Sequence, residues 1–112
     1  MPLKYIKSLN TGNISSGGSA TVNFTTDEDM HVSHIFINDR QKTSLQASQV
    51  WIELGAGNVI TKDYSPASIF GNSILTALPI DVIIPKGASV TVKITNGEGQ
   101  VINCDICFEV TT

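Results

Sequence analysis

The sequence predicts an all-β fold, a single antiparallel β-sandwich of seven to eight strands. Three observations carry this. Five segments alternate apolar and polar residues with a period of two. Turn-forming residues separate them at intervals of about 8–12 residues. No segment sustains a 3.6-residue apolar period beyond a turn or two.

The elements follow in chain order. Lys4 to Leu9 reads as a short edge strand. Ser15-Ser16-Gly17-Gly18 breaks the chain, so residues 1–18 are expected to form an extended N-terminal arm carrying that edge strand, with the sandwich spanning 19–112. Ala20, Val22 and Phe24 alternate with Ser19, Thr21, Asn23 and Thr25. After the polar break Asp27-Glu28-Asp29 comes Met30 to Ile37, whose alternation fails midway: Met30, Val32 and Phe36 share one face, Ile35 and Ile37 the other. This strand is either buried on both faces or bulged.

Val50, Ile52 and Leu54 alternate with Trp51 and Glu53, and Asn58 to Lys62 is expected to pair back across Gly55-Ala56-Gly57. Gln41 to Ser48 and Pro66 to Phe70 are the short helical candidates. Ile80, Val82 and Ile84 alternate with Asp81 and Ile83. Pro85-Lys86-Gly87 then supplies a tight turn into Val90, Val92 and Ile94. Asn96-Gly97-Glu98-Gly99 leads into Ile102 to Val110, and the last two strands are expected to form a hairpin.

Composition narrows the function classes. The 112 residues suit one core. Charged residues are only 15% of the chain, well under the usual quarter, so much of the surface is uncharged and suited to being covered by neighbours. The net charge of −3 and the scattered Lys and Arg argue against nucleic acid, which needs clustered positive charge. No stretch reaches the ~18–20 apolar residues of a membrane span. Met1 to Tyr5 shows no secretory h-region, so a cytoplasmic origin is expected, with Cys104 and Cys107 as thiols.

Candidate chemistry is sparse. Cys104 and Cys107, and likewise His31 and His34, stand three apart in strands and so are expected on opposite faces, where neither pair converges on a metal. Asp27, Glu28 and Asp29 are adjacent and read as a solvated turn rather than a calcium site. No nucleophile stands in a G-x-S-x-G context. No enzyme, metal or cofactor is expected. Trp51 is the single Trp and faces outward by alternation, suiting it to a partner or a sugar. The segment from Ser65 to Leu78 is rich in apolar residues for a connection. The expected interface is Trp51, Ile69, Phe70, Ile74 and Leu75; the alternative, a ligand platform, is Trp51, Asn58, Asp63 and Tyr64.

One ordered set of segments goes further. Phe24-Thr25-Thr26-Asp27-Glu28-Asp29 is followed by Ser68-Ile69-Phe70-Gly71, Leu78-Pro79, the run from Ile84 to Val92 through Pro85-Lys86-Gly87, Thr95-Asn96, and Ile106-Cys107-Phe108-Glu109. From Phe24 to the end, this order resembles small bacteriophage virion structural proteins with a jelly-roll-like sandwich, of the head decoration, cement, minor capsid or head-fibre kind. The resemblance implies no catalytic residues. It implies a virion location, other virion proteins and copies of itself as partners, and a homo-oligomer. The chain is shorter than a principal shell protein of that fold, which favours an accessory role. A receptor- or carbohydrate-binding sandwich is the alternative.

Overall fold

The computed structural model describes residues 4–41, 45–53, 61, 64–71 and 77–111. Among these residues run eight strands: β1 (Lys4–Ile14), β2 (Ser19–Thr25), β3 (Met30–Asp39), β4 (Gln49–Glu53), β5 (Ser65–Pro66), β6 (Leu78–Ile84), β7 (Ser89–Thr95) and β8 (Ile102–Thr111). A 3₁₀ turn, Ala67–Phe70, follows β5. It falls within the second helical candidate. Within the first, Leu45 to Ser48 form a turn, with Leu45 at a φ of 58°; residues 42–44 lie outside the described residues.

The strands build two four-stranded antiparallel sheets. Sheet A has the order β1-β8-β3-β6 and sheet B the order β2-β7-β4-β5. The pairs β1–β8, β2–β7, β3–β6 and β4–β5 are nested. The chain is therefore one long folded-back ribbon, rolled so that its strands fall into two layers. This is the jelly-roll arrangement, and alternation on both layers fills the space between them. Val32, Ile35, Ile37, Ile106, Phe108 and Val110 of sheet A meet Val50, Ile52, Val90, Val92 and Ile94 of sheet B, all almost completely buried. Phe24 and Phe108 cross the layers edge to face, centroids 5.7 Å apart.

The last two strands do not form the expected hairpin: β7 lies in sheet B and β8 in sheet A. The reason is Asn96, which is fully buried in the connection. Its Nδ2 donates to the carbonyls of Ile14 and Gln100, both at 2.8 Å, and its Oδ1 accepts from the Glu98 amide. Its backbone exchanges hydrogen bonds with Gly17 and Gly18. Glu98 reaches onward to Ser48 Oγ at 2.7 Å and the Ala47 amide at 3.0 Å. Three connections are thus clasped into one corner. Gly97 has to be glycine there, because a Cβ would stand 1.9 Å from the Ala47 carbonyl oxygen. At the opposite end Thr26 holds the Pro85–Ala88 turn in the same way, donating to the Pro85 carbonyl at 2.7 Å and accepting from the Ala88 amide at 3.1 Å.

Two further expectations change. Residues 4–14 are not an arm. They form an eleven-residue edge strand paired with β8 from Lys4↔Thr111 to Ile14↔Ile102, and Ile14 is buried in the core. The broken alternation of β3 is a bulge: between Val32 and His34 this strand advances two residues while β8 advances one. The expected return strand Asn58 to Lys62 falls almost wholly outside the described residues. Of it, Thr61 is buried, and its Oγ1 accepts from the Ile52 amide.

Candidate functional site

The fold leaves two outer faces, and their chemistry differs. On sheet A, register places Lys4, Thr111, His31 and Ile83 in one row, and Ile6, Glu109 and His34 in the next. The bulge at Ser33 turns His31 and His34 to the same outer face, correcting the expectation from spacing that they oppose each other. His31 Nε2 pairs with Asp81 Oδ1. His34 Nδ1 lies 3.6 Å from Glu109 Oε2.

Glu109 is the centre of this face. Only 8% of it is exposed. Its Oε1 accepts from Lys4 Nζ at 2.9 Å and Ser33 Oγ at 3.1 Å. The Lys4 hydrogen bond, then that of Ser33 and the charges of Lys4 and His34, hold its carboxyl below the usual range against the opposing effect of burial. Further along, Asp105 takes a two-pronged bond from Arg40, Nε at 2.9 Å and Nη2 at 3.0 Å, and a third from Asn10 Nδ2 at 2.9 Å. Those bonds, Arg40's first, also lower its pKa.

Between the charges this face carries apolar groups. Ile83 is 73% exposed and Ile6 48%; Phe36 is half-buried and Pro79 exposed. Ile83 was legible as an outward residue of an alternating strand, whereas the Glu109 cluster, drawn from three strands, had no signal in the sequence.

The outer face of sheet B is mostly uncharged, with Glu53 of β4 and Lys93 of β7 as the charged side chains of its described strands. Ser19, Thr21, Asn23 and Thr25 of β2, and Ser89, Thr91 and Thr95 of β7, line its outer face. Trp51 is outward, as expected, but half-buried. Lys93, its cross-strand neighbour, lays its ammonium 4.9 Å from the ring centroid.

The sequence-predicted residues do not gather into one patch. Ile69 is exposed, but its neighbour Phe70 is fully buried. Phe70 closes the 3₁₀ turn into the core and is withdrawn from any partner. Ile74, Leu75, Asn58 and Asp63 lie outside the described residues. Tyr64 is 49% exposed.

Cys104 and Cys107 are both free and buried. Burial first, then the nearby charges of Asp39, Asp105 and Glu98, push the Cys104 thiol up to about 12. Cys107 is outward but lies beneath Ser8, whose Oγ donates to its sulfur at 3.4 Å. Among the described residues, no group of three His, Cys, Asp or Glu side chains is placed to hold a metal ion, and no helix is long and apolar enough to cross a membrane. A scan against protein-family models and a search of curated proteins both find no match to this chain.

Proposed function

We propose that this chain is a virion structural protein, a capsid decoration, cement or minor component, that acts by binding other subunits through the outer face of sheet A. It would be made in the host cytoplasm and join the particle there. The observation that supports this most is Ile83, 73% exposed within a regular strand. Burying an isoleucine is worth about 2 kcal/mol, and a monomer leaves that unrealised. Ile6, Phe36 and Pro79 share the face. Its neighbouring charges are already paired inside the subunit, so a partner need not supply counter-charges. Apolar anchors beside satisfied polar groups are the usual composition of an interface centre.

The test begins with particles from the native source, separated on a density gradient, with copies of this polypeptide counted by mass spectrometry. Ile83→Ser is expected to lower the copies per particle several-fold while leaving the far-UV spectrum unchanged. Absence of the parent polypeptide from particles would sink the reading.

The outer face of sheet B favours a second reading, a carbohydrate- or receptor-binding module. Its hydroxyls and amides could exchange hydrogen bonds with a glycan beside Trp51, once Lys93 leaves the ring. Saturable quenching of Trp51 fluorescence by a neutral glycan is the expected sign.

A further inference from the structure

The four sheet edges are not equally protected, and the exception is β2. An unpaired edge offers a row of backbone donors and acceptors, which proteins blunt with charge, proline, bulges or brevity. Edge strand β1 carries Lys4 and Lys7, and its register breaks between Asn10 and Asn13 around Gly12, whose φ is +71°. Edge strand β6 contains Pro79, which has no N–H, and Asp81. Edge strand β5 is two residues long and ends in Pro66.

By contrast β2 runs seven residues, Ser-Ala-Thr-Val-Asn-Phe-Thr, with no charge and no proline. Its register with β7 is unbroken from Ser19↔Thr95 to Thr25↔Ser89. Burial is incomplete at this edge, as it is for Tyr5 and Leu9 of β1 and Ile80 and Val82 of β6, so it is the lack of charge, proline and bulge that sets β2 apart. The inward side chains of β7, Val90, Val92 and Ile94, are fully buried, whereas those of β2, Ala20, Val22 and Phe24, are only partly so. Lys7 reaches over from β1 to the Phe24 ring, 5.2 Å from its centroid, and covers one end of the strand.

We infer that β2 is the self-association edge of this protein, pairing antiparallel with β2 of a second copy about a two-fold axis at Val22. That register sets Ser19 opposite Thr25 of the second copy, Ala20 opposite Phe24, Thr21 opposite Asn23, and Val22 opposite itself. Inward residues meet inward residues and outward meet outward, which an antiparallel pairing requires. Small Ala20 faces large Phe24, and the outer pairs are hydroxyl to hydroxyl or amide, a favourable cross-strand combination. With no charge on the strand, its like residues meet across the axis without repulsion. The two copies of sheet B would form one continuous eight-stranded sheet, within the size that open sheets reach. The inference deepens the assembly reading, on which its biological use rests, by naming the partner and the edge.

The experiment is sedimentation equilibrium of the full chain over a concentration series, with two variants. In Thr21→Glu/Asn23→Glu both substitutions fall on exposed positions, so folding should persist, checked by circular dichroism and the urea midpoint. Each new Glu would oppose a Glu of the second copy, which is expected to weaken the dimer by on the order of tenfold or more. Thr91→Lys puts a charge in the middle of the sheet B face and off its edge, and should leave the dimer intact. A reversible dimer lost only in the double variant supports the inference. A parent chain that stays monomeric overturns it, and so does a dimer lost in Thr91→Lys but kept in the double variant. A monomer still recovered in particles would overturn the edge pairing and leave the assembly reading standing. A dimer absent from particles would support the pairing while removing that reading.

Discussion

Sheets A and B close one core between them and yet present opposite surfaces. The outer face of sheet A is fastened through its carboxyl groups: Lys4 and His34 on Glu109, His31 on Asp81, Arg40 on Asp105. The outer face of sheet B is fastened by neutral ones, such as Ser19 with Thr95 at 3.0 Å, with Lys93 on Trp51 as its charged contact. The same period of two builds both faces, because alternation specifies only which side is apolar. What occupies the other side sets how the sheet responds to pH, salt and partners.

Three substitutions sharpen that contrast. The largest effect is expected at the corner the two sheets share. Asn96→Ala removes a buried amide that donates to the carbonyls of Ile14 and Gln100 and receives a third bond, and should destabilise the whole domain by about 3 kcal/mol in urea unfolding. Both faces should be lost in one transition, and separate transitions by tryptophan fluorescence and far-UV signal would show that the layers are not one cooperative unit.

Next comes Glu109→Gln, worth about 1 kcal/mol at neutral pH. The folded carboxyl titrates below its ordinary range, so its contribution is full above that range and is lost as pH falls through the folded value. The variant should therefore show a shallower loss of stability between neutral and acid pH. An acid limb identical to that of the parent would remove Glu109 as its source. Smallest is Lys93→Ala, about 0.5 kcal/mol, seen best as a shift in Trp51 emission.

Much of this fold is legible in the sequence because it rests on local alternation. The strands of Ser19–Thr25, Ser89–Thr95 and Ile102–Thr111 are plain from their apolar positions, whereas the break in β3 left burial on both faces or a bulge open, and register decides for the bulge. Strand partners are another matter. Asn96-Gly97-Glu98-Gly99 has the composition of a hairpin turn, yet burial of the Asn96 side chain carries the chain across to the other sheet. No local rule encodes a side chain that bonds to Ile14, 82 residues earlier. The candidate surfaces fail to read out for the same reason. Glu109 becomes a hub only when Lys4, Ser33 and His34 arrive from two neighbouring strands. Trp51 is covered by Lys93 only because β4 pairs with β7 in that register. Phe70 sits in an apolar connection that looked available to a partner, and the 3₁₀ turn spends it on the core.

The nested pairing of the strands also imposes a time order. The pair β4–β5 closes the shortest loop and β1–β8 the longest, so the ribbon has every reason to zip from its middle outward. Such non-local pairing places the domain among slow folders, on the scale of milliseconds to seconds. In that order strand β1 would wait until β8 has formed, and through that interval the edge of β8 would stand open to any strand that reaches it first.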